Sequence, residues 1–361
     1  MGEPHGVGIV GLGVISRQYL DTLRPSAAVR IAAVADLDVE RARAVAAEIP
    51  GARALSVAEL VADPEVRTVL NLTIPAAHEE VALAAISQGK DVYGEKPLAA
   101  SMEAAKRIMD AAAQGGVRVG SAPDTVLGTG VQTARAHVDG GAVGMPISAT
   151  ATWVSAGHEA WHPHPDFYYQ PGGGPLLDMG PYYLTSLVHL LGPVRSVSGM
   201  TSRTRSTRTI GSGARAGVQI PVDVDTHVTG VLEHADGALS TVVMSFDALS
   251  TTAAPIEVHG TEGSIIVPDP NNFSGVVRLT TRGSDGWESV PAAAGFEQAG
   301  RGVGLLDLIH GPARASGAMG LHVLEIMTAL LRSDGARVAV ASSVERPSLV
   351  PLTSAHSWRS I

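Results

Sequence analysis

A short apolar run near the start of the chain leads directly into a pair of glycines. Residues 7–10 read Val-Gly-Ile-Val, and Gly11-Leu12-Gly13 follows them without an intervening charge. Such a run is typical of a buried parallel strand. Residues 12–24 then carry a helical pattern that Pro25 ends. A strand, a glycine turn and a helix in this order predict a parallel sheet covered by helices.

Strand-like and helix-like segments continue to alternate over the first third of the chain. Further strands are predicted at residues 29–35, 66–72, 91–93 and 117–119. Further helices are predicted after Asp36 through Glu48, at residues 76–88 and at residues 102–114. Alternation at this spacing predicts a doubly wound parallel sheet.

The composition bounds the class of protein. With 361 residues, the chain is long enough for two domains that each bury a core. A content of 45% hydrophobic and 17% charged residues indicates a globular protein. The net charge of −9 argues against a nucleic-acid partner. With no cysteine, no signal-peptide pattern and no membrane-length apolar run, we expect a cytoplasmic protein without a membrane partner.

The glycine turn has the features of a dinucleotide site. Gly11 would allow the tight turn, and Gly13 would allow the backbone to approach a pyrophosphate. Ser16 stands where a third glycine is usual and is small enough for close packing. The N-terminus of the following helix, at Val14 and Ile15, would offer N–H groups to the phosphates.

An acidic residue ends the next predicted strand. Asp36 follows the glycine turn at roughly the 20-residue distance expected of the carboxylate that bonds the adenosine ribose. A carboxylate there repels a 2′-phosphate, so we predict NAD rather than NADP as the cofactor. Two alternatives stay open: Asp36 caps the following turn, or Asp38 is the residue that holds the ribose.

The segment from Thr73 to Ala99 carries the most specific pattern in the chain. It reads TIPAAHEEVALAAISQGKDVYGEKPLA, and a second glycine-rich segment, GGGPLLDMGPYY, follows at residues 172–183. Together with the GLG turn, these segments resemble the glucose–fructose oxidoreductase/inositol dehydrogenase/rhizopine-catabolism (Gfo/Idh/MocA) family over essentially the whole chain. The resemblance implies an α/β protein with an N-terminal Rossmann dinucleotide-binding domain at residues 1–122. A C-terminal α/β domain at residues 123–361, with a large open and mostly antiparallel sheet, would bind substrate and form oligomers.

The resemblance also implies roles for the residues around Lys96. Lys96 would bond the reacting oxygen of the substrate and stabilise alkoxide charge. Pro97 fixes the local backbone and biases Lys96 toward extended geometry. The alternative is a surface lysine paired with Glu95. The resemblance also places Lys96 beside the cofactor, together with Thr73, Pro75, His78 and Glu95. His78 is equally compatible with a simple place at a helix N-terminus.

The second glycine-rich segment would carry the rest of the chemistry. If residues from Leu176 onward are helical, Asp178 and Tyr182 share one face. Many family members have histidine at the position of Tyr182, where it acts as acid and base. A phenol has an ordinary pKa near 10, so Tyr182 would need a nearby cation such as Lys96 to act near neutrality. We predict that Tyr182 and Lys96 share the proton transfer and that Asp178 orients substrate hydroxyls or Lys96. The alternative is that Tyr182 is a packed aromatic; Tyr183 is predicted to be core.

A histidine-rich stretch and an arginine-rich stretch remain. Residues 158–166 contain three histidines and two acids, but two prolines keep them extended and no cysteine is present, so we predict no metal. We expect instead a substrate loop in which Trp161 stacks on a ring and His162 or His164 bonds hydroxyls. A loop buried only in an oligomer is the alternative. Residues 201–217 hold four arginines, which favours a solvated loop over a ligand clamp.

The predicted chemistry is hydride transfer between NAD and a secondary hydroxyl or carbonyl of a sugar, glycoside or cyclic polyol. The same motifs suit an enzyme that oxidises, eliminates and then reduces again with an internally recycled cofactor. A non-catalytic sensor is disfavoured because Lys96 is intact. Open sheets of this family pair between subunits, which implies a homodimer or homotetramer through the C-terminal sheet.

Overall fold

The computed structural model describes residues 3–360. They form two compact units. Unit 1 contains residues 3–132, 293–324 and 347–360, and unit 2 contains residues 133–292 and 325–346. Each unit is therefore built from more than one segment of the chain. The predicted division into two domains at residue 122 does not include this return of the chain. The assignment of nucleotide binding to residues 1–122 and of substrate binding and oligomerization to residues 123–361 stays a prediction.

Unit 1 is built on a six-stranded, wholly parallel sheet in the order β3-β2-β1-β4-β5-β6. Its strands are β1 (His5–Val10), β2 (Val29–Ala35), β3 (Arg53–Ala54), β4 (Thr68–Asn71), β5 (Asp91–Gly94) and β6 (Val119–Ser121). The winding direction reverses between β1 and β4, and ligands of such sheets bind at the carboxyl ends of the strands at this point. The predicted doubly wound parallel sheet is confirmed.

Helices connect these strands, and local sequence explains where they begin. They are α1 (Val14–Leu23), α2 (Val39–Ala47), α3 (Val57–Ala62), α4 (His78–Ser87) and α5 (Met102–Gly115), and α6 (Thr129–Asp139) follows the last strand, β6. The side chain of Asp38 accepts a hydrogen bond from Arg41 N and so caps α2. Ser56 and Glu59 form a reciprocal capping box on α3. β3 and α3 were absent from the sequence-based prediction.

Unit 2 is built on a nine-stranded sheet in the order β16-β15-β14-β13-β7-β12-β11-β8-β17, beside a two-stranded sheet of β9 and β10. The strands are β7 (Pro146–Val154), β8 (Val194–Ser202), β9 (Thr207–Thr209), β10 (Gln219–Pro221), β11 (His227–His234), β12 (Leu239–Ser245), β13 (Ile256–Gly260), β14 (Gly263–Val267), β15 (Val277–Thr281), β16 (Glu288–Val290) and β17 (Val338–Ala339). The β7–β12 pair is parallel, and the other pairs of this sheet are antiparallel. The predicted mostly antiparallel sheet is confirmed.

The two faces of the large sheet differ in burial. Helix α7 (Pro175–Leu191) packs on β7, β11 and β12, and on that face Val228, Leu232 and Val242 are fully buried. Along β11 the alternate residues point away from α7, and Val231 is 42% exposed. In unit 2 this second face therefore stays open, with threonine and β-branched residues along it.

The chain returns to unit 1 near its end. The remaining helices are α8 (Val303–His310), α9 (Gly317–Arg332) and α10 (Ala355–Arg359). Both α6 and α9 contain residues of both units. Strands β9, β10, β16 and β17 and helices α8 and α10 were not predicted. Among the residues that the structure describes, none of the helices is long and apolar enough to cross a membrane.

Candidate active site

The turn between β1 and α1 has the backbone geometry of a phosphate-binding loop. Gly11 has a φ of +93°, and a Cβ there would lie 2.7 Å from the backbone of Leu72. A Cβ on Gly13 would meet no protein atom within 4 Å, so the backbone at Gly13 can approach a ligand closely. Gly13 supplies no side-chain cap to α1. The helix N-terminus at Val14 and Ile15 therefore has the character of an anion site.

Ser16 fills the third position of this loop. It is buried, and its Oγ donates a hydrogen bond to Gly13 O at 2.7 Å. The hydroxyl thus closes the turn on itself instead of disturbing the packing. A cleft of about 560 Å³ opens beside the loop, with Gly13, Arg17 and Arg41 in its lining.

Asp36 is directed at the glycine loop. Its Oδ2 accepts a hydrogen bond from Leu12 N at 2.7 Å, and its Oδ1 accepts one from Asp38 N at 2.9 Å. Its side chain is only 9% exposed. Asp36 thus caps the turn that follows it, as one alternative expected, and it also contacts the glycine loop. Asp38, the other alternative, caps α2 and is half-exposed. The ribose role of Asp36 stays a prediction.

Arg41 is a residue that the sequence analysis missed. Its Nη1 lies 3.3 Å from Asp36 Oδ1 and its Nη2 lies 3.2 Å from Asp38 Oδ2. An arginine at this place accommodates the 2′-phosphate of NADP in other dinucleotide sites. In this chain its charge is shared between two carboxylates, which weakens its attraction for a phosphate.

Apolar side chains stand exposed at the carboxyl edge of the parallel sheet. Val14, Leu37 and Ile74, which follow β1, β2 and β4, are 90%, 100% and 70% exposed. Because β2, β1 and β4 are neighbours in the sheet, these three residues lie at the same edge of it. Leu37 and Ile74 were also missed, because a single apolar residue after a strand gives no distinctive sequence signal.

His78 links the loop after β4 to the Glu95-Lys96-Pro97 motif. The ring is buried, with Nδ1 at 2.8 Å from Pro97 O and Nε2 at 3.1 Å from Thr73 O. Burial lowers the pKa of His78 below its usual value, so the neutral ring donates to one of these carbonyls. Pro75 begins a short 3-10 turn before α4. Cofactor contacts of Thr73, Pro75 and His78 stay predictions.

The motif itself follows β5 directly. Glu95 is buried; its Oε1 accepts a hydrogen bond from Tyr19 OH at 2.7 Å, and its Oε2 accepts one from Lys96 N at 3.0 Å. Glu95 thus holds the backbone of Lys96 in place. The contact of Glu95 with the cofactor stays a prediction. Lys96 is partly buried, and the Lys96–Pro97 peptide bond is cis.

A second buried acid lies in unit 1. Asp124 is fully buried, and its Oδ2 accepts hydrogen bonds from Gly302 N at 2.7 Å and Gly304 N at 3.0 Å. Burial raises the pKa of Asp124 to about 6. This carboxyl caps the start of α8.

In unit 2, the glycine-rich segment leads into α7 as predicted. Asp178 lies in the first turn of α7, and Tyr182 follows it by one turn. Tyr182 is 5% exposed. Tyr183 is buried, with its hydroxyl 3.3 Å from Asp269 Oδ1, and burial raises its pKa above the usual range. The structure therefore places Tyr183 in the core, and the proton-transfer role of Tyr182 stays a prediction.

Asp178 has a partner that the sequence analysis did not assign. His158 Nε2 lies 2.9 Å from Asp178 Oδ2, and the two side chains are 10% and 17% exposed. The residues are 20 positions apart and belong to two separate motifs, and no pattern in the sequence links them. The histidine-rich stretch thus contacts the first turn of α7 through His158.

The three predicted substrate residues lie on the outer part of the same stretch. Trp161 is 59% exposed, and its ring centroid is 5.4 Å from that of His162. His162 Nδ1 accepts a hydrogen bond from His164 N at 3.0 Å. Within residues 3–360, no three histidine or acidic side chains are arranged to hold a metal ion. Substrate contacts of Trp161, His162 and His164 stay predictions.

Residues 203–222, which we call the Arg-rich strap, hold this stretch in place. Arg208 is 3% exposed and contacts Glu159 at 2.9 Å and also Asp247. The Glu159 carboxylate also accepts a hydrogen bond from Tyr169. Most of residues 201–217 are exposed, as a solvated loop predicts, but Arg208 departs from that expectation because it is a buried ion-pair partner.

Further contacts join the strap to residues 158–166. Arg215 forms a bidentate ion pair with Asp166, with one N–O distance of 2.8 Å. Ser212 Oγ donates to Trp161 O at 2.7 Å. A strap that clamps another loop was not among the expected arrangements, because its partners lie far away in the sequence.

Two family models match the chain, one mainly within unit 1 and the other mainly within unit 2. Residues 5–122 match the family described as "Oxidoreductase family, NAD-binding Rossmann fold", and residues 131–266 match the "GFO/IDH/MocA C-terminal domain". The chain is 28% identical over 355 residues to the 1,5-anhydro-D-fructose reductase of Ensifer adhaerens, covering 94% of this chain and 98% of that enzyme.

Two further proteins are similar to the chain, one in the sequence of a part of it and the other in its fold. The inositol 2-dehydrogenase 2 of Saccharopolyspora erythraea is 40% identical over 112 residues, which cover 30% of this chain and 33% of that enzyme. The apo structure of a levoglucosan dehydrogenase superposes with a TM-score of 0.78, covering 95% of this chain and all of that one. At 22% identity, this last likeness concerns the fold.

Proposed function

The chain belongs to the Gfo/Idh/MocA family of NAD-binding Rossmann-fold oxidoreductases, and we propose that it acts on a sugar, glycoside or cyclic polyol. In this proposal, hydride passes between the nicotinamide and a secondary hydroxyl or carbonyl of the substrate. The observation that carries the proposal is the position of Lys96. It follows β5, two strands from the glycine loop after β1, and strands spaced about 4.8 Å apart put those strand ends roughly 10 Å apart.

The residues of unit 1 fit a dinucleotide. The bare backbone at Gly13 leaves room for a pyrophosphate, and Asp36 sits against the loop where a ribose would lie. Val14, Leu37 and Ile74 would supply apolar contacts to the bases. Bound NAD would supply the hydride acceptor or donor. Because two carboxylates neutralise Arg41, we infer a preference for NAD over NADP.

Lys96 supplies the charge that the reacting oxygen needs. An ammonium group that donates a hydrogen bond to a hydroxyl favours the alkoxide form as charge develops. Glu95 accepts hydrogen bonds from the backbone N–H of Lys96 and from the Tyr19 hydroxyl, so it holds the backbone from which the lysine side chain extends. We assign to Lys96 the binding of the reacting oxygen.

Helix α7 supplies the remaining roles. Asp178 lies at the helix N-terminus, where the helix dipole favours a carboxylate, and we assign it the orientation of substrate hydroxyls. We assign acid and base chemistry to Tyr182 together with Lys96, since a phenol needs a cation to lose its proton near neutrality.

The substrate class rests on two supports. The full-length relative is named an anhydrofructose reductase, and another relative is named an inositol dehydrogenase. Trp161 presents an exposed ring beside His162, a pairing of apolar face and polar edge that suits a carbohydrate. No observation favours the elimination mechanism with recycled cofactor.

We further propose that the open face of the nine-stranded sheet joins two copies of the chain. The supports are the family resemblance and the exposure of apolar residues on that face, including Met200, Val231 and Leu239. The resulting state would be a homodimer or homotetramer.

The test is spectrophotometric. Purified protein is incubated with NAD and one substrate per reaction: levoglucosan, myo-inositol, a free hexose or a methyl glycoside. The formation of NADH is followed by its absorbance. 1,5-Anhydro-D-fructose with NADH tests the reductive direction, and NADP and NADPH run in parallel. Turnover with at least one compound class supports the proposal. Absence of turnover in both directions, with NADH binding intact, would contradict it.

A further inference from the structure

We propose that His158 is a positioning residue that fixes the carboxylate of Asp178. The proposal rests on the proposed function, in which Asp178 orients the substrate. Its geometric basis is the 2.9 Å contact between His158 Nε2 and Asp178 Oδ2. A donor on a rigid ring restricts the rotamers of the carboxylate, and a well-held orienting group raises the fraction of substrate bound in a reactive geometry.

The ring of His158 is itself immobilised by aromatic neighbours. The ring centroids of Tyr168 and Phe246 lie 4.3 and 4.8 Å away, and those of Trp161 and Trp153 lie 5.2 and 5.8 Å away. An imidazole enclosed by four rings cannot turn without displacing them. The Nε2 atom that donates the hydrogen bond to Asp178 is therefore held in one position.

His158 differs from a structural histidine of the same unit. Both ring nitrogens of His234 are bonded, Nδ1 to Gly192 O and Nε2 to Ser240 Oγ, each at 2.8 Å. His158 Nδ1 is buried and has no protein partner among the described residues. Leaving a buried nitrogen unpaired destabilises the fold, so the bond from Nε2 to Asp178 is the polar contact through which His158 acts.

The neighbouring residue anchors His158 to the Arg-rich strap. Glu159 is held by the Arg208 guanidinium at 2.9 Å and by the Tyr169 hydroxyl. Its carbonyl also accepts a hydrogen bond from Gly211 N at 2.7 Å. The strap therefore fixes the backbone from which His158 reaches α7.

The experiment compares His158→Phe, which keeps the ring shape but removes the donor, with His158→Gln, whose side-chain amide can donate at nearly the same place. The probe is the panel compound with the highest wild-type turnover. We expect His158→Phe to lower kcat by about 10²-fold with KM within about threefold, and His158→Gln to recover most of kcat.

His234→Phe is the matched control, since it makes the same substitution at a buried histidine to which no role in binding or catalysis is assigned. It should lower the Tm while leaving kcat near wild type. Equal losses of kcat in His158→Phe and His158→Gln, following the loss of Tm, would overturn the proposal because they indicate a structural role alone.

A second measurement works without turnover. Long-range ¹H–¹⁵N spectra of histidine-labelled protein report which ring nitrogen of His158 carries a proton. We expect Nε2 to be protonated, as donation to Asp178 requires, and a His158 protonated only at Nδ1 would overturn the proposal. A wild-type protein that shows the Nε2–H signal but turns over no panel compound would instead count against the proposed function.

Discussion

Replacing Arg208 by methionine tests the buried ion-pair network of unit 2. Methionine keeps much of the apolar stem of the side chain but removes the charge and every guanidinium donor. The side chains of Arg208, Glu159 and Asp247 are only 2%, 9% and 12% exposed. The variant would thus leave two carboxylates in a nearly dry site without their cation.

The expected cost follows from that burial. Breaking a buried ion pair by removing one partner costs about 3–5 kcal/mol. The Tyr169 and Thr226 hydroxyls would still bond Glu159 and Asp247, which favours the lower end, near 3 kcal/mol. In a unit of about 180 residues, this corresponds to a fall in Tm of roughly 6–12 °C.

The assay is urea unfolding followed by circular dichroism, with calorimetry for Tm. Arg205→Met, an exposed arginine of the same strap, is the control and should change stability by less than about 0.5 kcal/mol. Adding Glu159→Gln and Asp247→Asn to Arg208→Met should recover part of the loss, since no buried charge then remains. A loss below about 1 kcal/mol for Arg208→Met would refute the argument that the network is desolvated.

Three further perturbations test other parts of the structure. The pKa of Asp124 is raised to about 6, so the stability it contributes is present below its ordinary pKa of 3.8 and is lost as the pH rises through about 6. Relative to Asp124→Asn, the wild type should lose about 1–2 kcal/mol of unfolding free energy between pH 5 and 8, and a difference independent of pH in urea titrations would contradict this. Asp38→Ser keeps a capping hydroxyl on α2 but releases Arg41 from one carboxylate, so kcat/KM with NADP should rise about tenfold; a gain that persists after adding Arg41→Met would rule out the explanation. Val231→Arg places a charge on the open sheet face and should shift sedimentation from oligomer toward monomer, whereas an unchanged profile would show that this face is not the subunit contact.

The sequence predicted most of unit 1 because its signals are local. The strand at residues 29–35 was placed as observed, and the glycine turn and α5 fell within a residue or two. α3 was missed although Ser56 and Glu59 form a capping box, because six residues are too few for a clear helical period. Strands β9 and β10 were missed because three-residue strands in an arginine-rich segment carry no apolar alternation.

The site could be predicted only where its residues lie in one motif. Asp36 and the glycine loop are joined by a contact that the strand–turn–helix pattern implies. That contact spans 24 positions, but both of its ends belong to one recurring motif. The pairs His158–Asp178 and Arg208–Glu159, across 20 and 49 positions, join segments that share no motif. Such contacts depend on how distant segments pack, and residue types alone cannot distinguish a clamped arginine from a solvated one. Burial decides that question, and burial is a property of the fold.

The assignment of hydride-transfer chemistry to Lys96 is tested most directly by Lys96→Met. The variant keeps the length of the side chain and removes its charge. The measurement is NADH formation from the best panel substrate, together with NADH affinity from nicotinamide fluorescence. We expect kcat to fall by about 10²–10³-fold or more while the NADH Kd stays within about threefold of wild type. A variant that retains wild-type kcat would contradict the account, because the reacting oxygen would then not depend on this lysine.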